Sequence, residues 1–111
     1  AGLYARAALT SLGVWDGVAA SLAPMADVRA ALALVERGEA AAGVVDATEA
    51  RVTQRVRVVG RLPADSHPPI VYPAAIVAGR DRPLVRRLFD FLNSAEVAAV
   101  FTRHGFTTVA P

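Results

Sequence analysis

Cysteine is absent from all 111 residues, and so is lysine. Without thiols the chain has no disulfide and no thiolate metal site, a composition that suits the periplasm and the cytosol alike. Basic charge rests on arginine alone: 12 against 10 acids, a net of +2, too little to build a field for nucleic acid. Histidine is scarce, at two residues, and neither His67 nor His104 has a second ligand three or four positions away, so zinc-type spacing is missing. Hydrophobic residues make up 54% of the chain, yet Arg, Asp or Pro interrupts them every few positions. No run approaches the roughly 20 apolar residues that cross a bilayer. A basic n-region, an apolar stretch and a cleavage site are missing as well. The chain is therefore expected to be a soluble portion of something longer, cut after its targeting segment.

Catalytic signatures are equally thin. Asp65-Ser66-His67 places three triad residue types side by side, but neighbours in an extended loop point to opposite sides, whereas triads join residues distant in sequence. No G-x-S-x-G surrounds a serine, and neither a Walker A nor a G-x-G-x-x-G sequence is present. The 65–67 segment is expected to be a solvated turn ahead of Pro68-Pro69. Arg51, Arg55, Arg57 and Arg61 form the densest basic cluster, but no aromatic residue stands among them to stack on a base. They suit the exposed face of an amphipathic segment.

What is present is an alternation of helices and short apolar strands. Ala1 to Leu12 carries apolar residues at helical spacing, at 3, 4, 7, 8 and 12, and Gly13 stops it. Val14-Trp15-Asp16-Gly17 suits a turn-like link. Asp27 caps a second helix with Val28, Ala31, Leu32 and Val35 on one face, ended by Gly38. Ala42 to Val45 suits a buried strand and Val56 to Val59 a second strand that alternates at its start, with a short helix over Thr48 to Val52 between them. Ile70 to Ala78 has the strongest strand pattern, though Pro73 demands an edge or a crossover. Asp81 is expected to cap a helix with Pro83 in its first turn, and Ser94 another that ends at Gly105 with His104 in its last turn. Phe106 to Val109 closes as a terminal strand. This order predicts an α/β fold with a mainly parallel sheet flanked by helices. The starts of the first two helices, near Ala1 and at Val28, are bordered by small or apolar side chains, which lets an anion approach their unpaired N–H groups.

A set of motifs in order adds a family resemblance. Ala1-Gly2-Leu3-Tyr4-Ala5 with Ala8-Leu9 resembles the A-G-x-Y-A-x-x-A-L segment of periplasmic molybdate-binding proteins, and Leu12 to Asp16 resembles their L-G-x-W-D. Asp27-Val28-Arg29 and Ala31 to Ala40 are similar to D-V-R-x-A-L-x-x-V-x-x-G-E-A, and Ala42 to Val45 to an A-G-I-V strand. Pro68 to Ala75 resembles P-I-x-Y-P-x-A, and Phe91-Leu92 with Phe101 to Phe106 the closing F-L and F-x-x-x-G-F pattern. The resemblance runs through essentially the whole chain.

It implies a partial type II periplasmic binding protein fold. Residues 1–72 hold most of ligand-binding lobe two, and 73–111 the crossover strand and C-terminal helices that return to lobe one. It also implies a binding protein and not an enzyme, located in the periplasm or lipid-anchored outside the cytoplasmic membrane. Such a protein captures molybdate or tungstate, without a cofactor or metal site, and delivers it to an ABC permease. The family holds its oxyanion by backbone N–H groups and hydroxyls, and the matching positions here are Ala1 and Val28. A tyrosine follows the A-G-I-V strand in the family; here Asp46 stands in its place. A carboxylate 4 Å from an anion costs about 4 kcal/mol per pair of unit charges at an effective dielectric of 20. Three outcomes are open: Asp46 turns away and caps the helix at Thr48-Glu49, it carries a proton and donates, or the cleft takes another ligand, with a cationic group or metal centre. Where Ala1 is the first residue, its α-ammonium adds to any anion affinity. A ligand-sensing regulatory domain of the same fold is the rival reading. Apolar surface that lobe one covers is expected to make the chain dimerise or exchange elements.

Overall fold

The computed structural model describes residues 1–109. Five α-helices are present among them: α1 (Gly2–Ser11), α2 (Trp15–Val18), α3 (Val28–Glu36), α4 (Pro83–Leu92) and α5 (Ala95–Arg103), with single 3-10 turns at Ala19–Ser21, Glu49–Arg51 and Ala64–Ser66. The chain divides into two compact units, Ala1–Ile70 and Val71–Pro111.

In the first unit, α3 is built as its sequence dictates. The Oδ1 of Asp27 accepts the N–H of Ala30 at 2.8 Å, capping the helix. At the other end Gly38 has φ +72°, a conformation that costs a glycine little. Its N–H reaches the Val35 carbonyl while Glu39 N–H reaches Leu34, the paired bonds of a Schellman motif. The ends of α1 and α5 repeat the pattern, with Val14 bonded back to Leu9 and Phe106 to Phe101. Leu32 is buried and Ala31, Leu34 and Val35 are half-buried beside it, against exposed Arg29 and Arg37. The Asp27→Ala variant is expected to lose about 1 kcal/mol, read as a lower urea midpoint with faster amide exchange confined to the first turn of α3.

Helix α1 turns only part of the expected face inward. Ala8 is fully buried and Tyr4, Ala5, Ala7 and Leu9 are half-buried around it, whereas Leu3 is 85% exposed and Leu12 is open to solvent. Packing adds Ala5 and Leu9 to the expected Tyr4, Ala7 and Ala8, where α1 meets α2 and the 64–66 turn. The link after Gly13 is not a plain turn: α2 and the 3-10 turn that follows it coil there, and the Arg6 guanidinium lies 5.1 Å from the Trp15 ring centre, a cation–π contact that holds α2 beside α1.

The expected sheet does not form among the described residues. Ala42–Val45, Val56–Val59, Ile70–Ala78 and Phe106–Val109 carry no strand. A strand exists only when a neighbour about 4.8 Å away takes its N–H and C=O groups, and within each unit these segments form no such ladder. The segment 42–45 nonetheless lies close against α3: a Cβ added at Gly43 would come within 3.0 Å of Val35 Cγ2.

In the second unit, α4 packs on α5. Ser94 caps α5, its Oγ accepting the N–H of Val97 at 3.3 Å, and His104 is the C-terminal cap. Asp81 does not cap α4; Arg82 holds that position without a side-chain bond. Asp81 instead pairs with Arg86, whose guanidinium holds its carboxyl below the usual carboxylate range. A bidentate partner outcompetes a lone N–H for the same two oxygens. Phe106 meets Tyr72 and Phe101 edge-on, at 5.6 and 5.7 Å between ring centres. Leu84, Leu88, Phe91 and Leu92 leave most of an apolar stripe of α4 open to solvent.

Ala8 and Leu32 are the only buried apolar residues among those described.

Candidate functional site

Helix α1 begins at Gly2, with Ala1 as its cap residue, and its first internal bond runs from Ala5 N–H to the Ala1 carbonyl at 2.9 Å. The N–H groups of Gly2, Leu3 and Tyr4 therefore have no intrahelical acceptor. No side chain caps them, and no acid lies in the first turn. They border an open concavity of about 610 Å³ lined by Ala1, Gly2, Leu3, Tyr4, Ala7 and Pro68. Unpaired N–H groups at the positive end of a helix dipole, with small residues around them, suit an anion. What the sequence attaches to Ala1 is thus offered by the three residues after it. The signal was available, because every helix leaves its first donors free.

Val28 opens α3 and is half-buried. Its N–H and that of Arg29 precede the first capped donor, Ala30, and have no acceptor within the helix. Here the cap is itself a carboxylate. Asp27 satisfies one donor and already places negative charge at this helix start, so α3 is less open to an anion than α1.

Asp46 is half-buried ahead of the Glu49–Arg51 turn. Its backbone carbonyl, not its carboxylate, takes the N–H groups of Glu49 and Ala50, at 3.0 and 3.2 Å. The expected side-chain cap at Thr48-Glu49 is thus absent: a carbonyl already in line for a 3-10 turn needs no side chain to close it. The turn packs on α3, where Arg29 Nε lies 3.7 Å from Glu49 Oε2, an oxygen buried without a hydrogen-bond partner. Asp46 and Val28 are so carried by one packed pair, and Ala1 by another, α1 with α2 and the 64–66 turn. The concavity at Ala1 includes neither Val28 nor Asp46.

The Asp65-Ser66-His67 segment forms no triad, and it is not simply a solvated turn. Ser66 is 7% exposed, and its Oγ donates to the Pro63 carbonyl at 2.6 Å. His67 donates from Nδ1 to the Pro68 carbonyl at 2.8 Å, which fixes the tautomer because a carbonyl can only accept. Its ring stands edge-on to Tyr4, 6.0 Å between centres. Arg55, Arg57 and Arg61 are exposed, as is Arg51. No helix among the described residues is long and apolar enough to cross a membrane.

Comparison with known proteins follows the same lines. The family model described as bacterial extracellular solute-binding protein matches residues 1–107. The molybdate-binding protein ModA of Escherichia coli is 46% identical over 107 residues, and that of Haemophilus influenzae 49% identical over 107 residues. A putative ABC transporter substrate-binding lipoprotein, YvgL, of Bacillus subtilis is 41% identical over 108 residues. Each match covers 96% of this chain and 42% of the relative, so the chain spans well under half the length of the curated relatives it matches. Across almost all of its described length, the chain belongs to the bacterial extracellular solute-binding protein family.

Proposed function

We propose that the chain supplies one side of an oxyanion-binding cleft, in a substrate-binding component of an ABC importer that takes molybdate or tungstate and works outside the cytoplasmic membrane. The observation that carries this reading is the start of α1, where three uncapped N–H groups border an open concavity with no acid in the first turn. The names of the relatives, two molybdate-binding proteins and an ABC substrate-binding lipoprotein, support the ligand class and the delivery to a membrane permease. Neutral donors bind a dianion without a counter-charge, and they select by geometry, because each N–H must find an acceptor at the right place. Asp46 favours a second reading. Its carboxylate is not engaged in capping the turn that follows, and in a shared cleft it would weaken an anion and suit a ligand that carries a cationic group.

Titration of the chain with molybdate, tungstate and sulfate, followed by amide NMR, tests both readings. Acetylation of the Ala1 amine removes its charge as a source of affinity. Molybdate is expected to shift the amides of Gly2, Leu3, Tyr4, Val28 and Arg29 in the acetylated chain, with sulfate weaker. Shifts that vanish on acetylation, or that spread evenly over the arginines, would sink the oxyanion reading.

The apolar side chains left open to solvent, Leu3 on α1 and Leu84 and Leu88 on α4 among them, are proposed to be covered by a second copy when the chain is alone in solution. Light scattering at tens of micromolar is expected to give a dimer or larger species, and a clean monomer would refute this.

A further inference from the structure

One side chain that touches the anion-facing turn of α1 belongs to a different part of the chain. His67 follows the 3-10 turn Ala64–Ser66, which is closed twice onto the Pro63 carbonyl, by Ser66 N–H at 3.0 Å and by Ser66 Oγ at 2.6 Å. Ser66 is one of three buried residues among those described, so the turn is an anchored point and not a loose loop. From it the His67 ring reaches Tyr4, edge to face. Its Nδ1–H is held by the carbonyl of Pro68, and Pro68 itself lines the concavity together with Ala1 to Tyr4. The ring thus joins Pro68, in the lining of the concavity, to the last of the three residues that carry free N–H groups.

We propose that His67 is a positioning residue for the oxyanion site: its ring, oriented by the Pro68 carbonyl, seats Tyr4 and so holds the N–H groups of Gly2, Leu3 and Tyr4 at a fixed angle to the concavity. The inference rests on the reading of α1 as an anion site. The physical need is clear. A helix end frays because its first residues lack the bond that would restrain them, and unpaired donors bind well only when their direction is set in advance. At α3 the Asp27 side chain restrains the first turn; α1 has no side-chain cap, and the Tyr4–His67 contact takes that role from outside the helix.

The test is backbone 15N relaxation of the N-acetylated chain, with molybdate titration, in the unmodified protein and in His67→Ala, His67→Phe, Tyr4→Ala and the His67→Ala/Tyr4→Ala double variant. His67→Ala is expected to lower the order parameters of residues 2–4 from about 0.85 toward 0.6, to weaken molybdate about three- to tenfold, and to leave α3 unchanged. His67→Phe keeps an aromatic edge for Tyr4 but loses the Nδ1–H bond to Pro68, and is expected to fall between the unmodified protein and His67→Ala. The two alanine losses are expected not to add, because they remove one contact. Unchanged order at residues 2–4 in His67→Ala, loosening of α1 as far as Ser11, or a His67→Phe variant no better than His67→Ala would each overturn the proposal. If molybdate shifts no amide in the unmodified chain, it is the oxyanion reading that fails. The order parameters still decide whether His67 holds the turn.

Discussion

With Asp46 at the cleft edge that the resemblance assigns to it, Asp46→Tyr is expected to strengthen molybdate binding about 10- to 100-fold, measured by calorimetric or NMR titration of the N-acetylated chain. Two effects act in the same direction. The substitution removes a half-buried carboxylate, whose repulsion of an anion reaches about 4 kcal/mol per pair of unit charges at 4 Å and an effective dielectric of 20. It also adds a phenol O–H, a hydrogen-bond donor contributing about 1 kcal/mol. The Coulomb figure is an upper bound, since water reaches Asp46 and screens it; a tenfold gain needs only 1.4 kcal/mol. Asp46→Asn separates the two effects, removing the charge without adding the phenol, and is expected to recover about half of the gain in free energy. The Glu49–Arg51 turn survives both changes because it is closed by the Asp46 backbone carbonyl. Equal affinities in all three proteins would mean that the Asp46 carboxylate lies away from the anion. A fall in affinity with tyrosine would contradict the repulsion on which the prediction rests, whereas molybdate binding that is absent in the unmodified chain and appears with tyrosine would favour the second reading of the cleft.

Leu32→Ala is expected to unfold the first unit. Leu32 is 6% exposed on the inner face of α3, and with Ala8 it is all the buried apolar core that the described residues contain. Removing its side chain costs about 3 kcal/mol in lost burial and cavity formation. A large domain absorbs such a loss. A unit of this size with so thin a core has little stability in reserve. The variant is expected to lose far-UV helical signal in water at 25 °C or to show a urea midpoint near zero, whereas Leu32→Met, which conserves volume, keeps a folded baseline. Retention of the unmodified midpoint in Leu32→Ala would show that α3 is held by the Asp27 cap and its Schellman end alone. Because α3 carries Val28 and packs on the turn after Asp46, the same variant is expected to lose the amide shifts at Val28 and Arg29.

Much of the helical layer was written locally. Asp27 and Ser94 cap because a short side-chain oxygen ahead of a helix reaches its own N–H groups whatever lies around it. Gly13, Gly38 and Gly105 end helices for an equally local reason. The motifs from Ala1 to Phe106 were enough to point to the family that the comparison identifies. Where a local rule met a competitor it failed. Asp81 has the chemistry of a cap, but Arg86 lies within reach and binds both of its oxygens.

The sequence alone thus determined most of the helix ends and the family, since each depends on residues a few positions apart or on motifs in order. Tertiary structure decided the rest. It chose which face of α1 turns inward, leaving Leu3 outside and Ala8 buried. It buried Ser66 and set His67 against Tyr4, which no spacing of 4 and 67 could announce. It also decided that four strand-like segments form no ladder among the described residues, because a strand is a property of two segments and not of one. Local bonds are settled by the chain's own neighbours; pairing and burial depend on what else is close enough to touch.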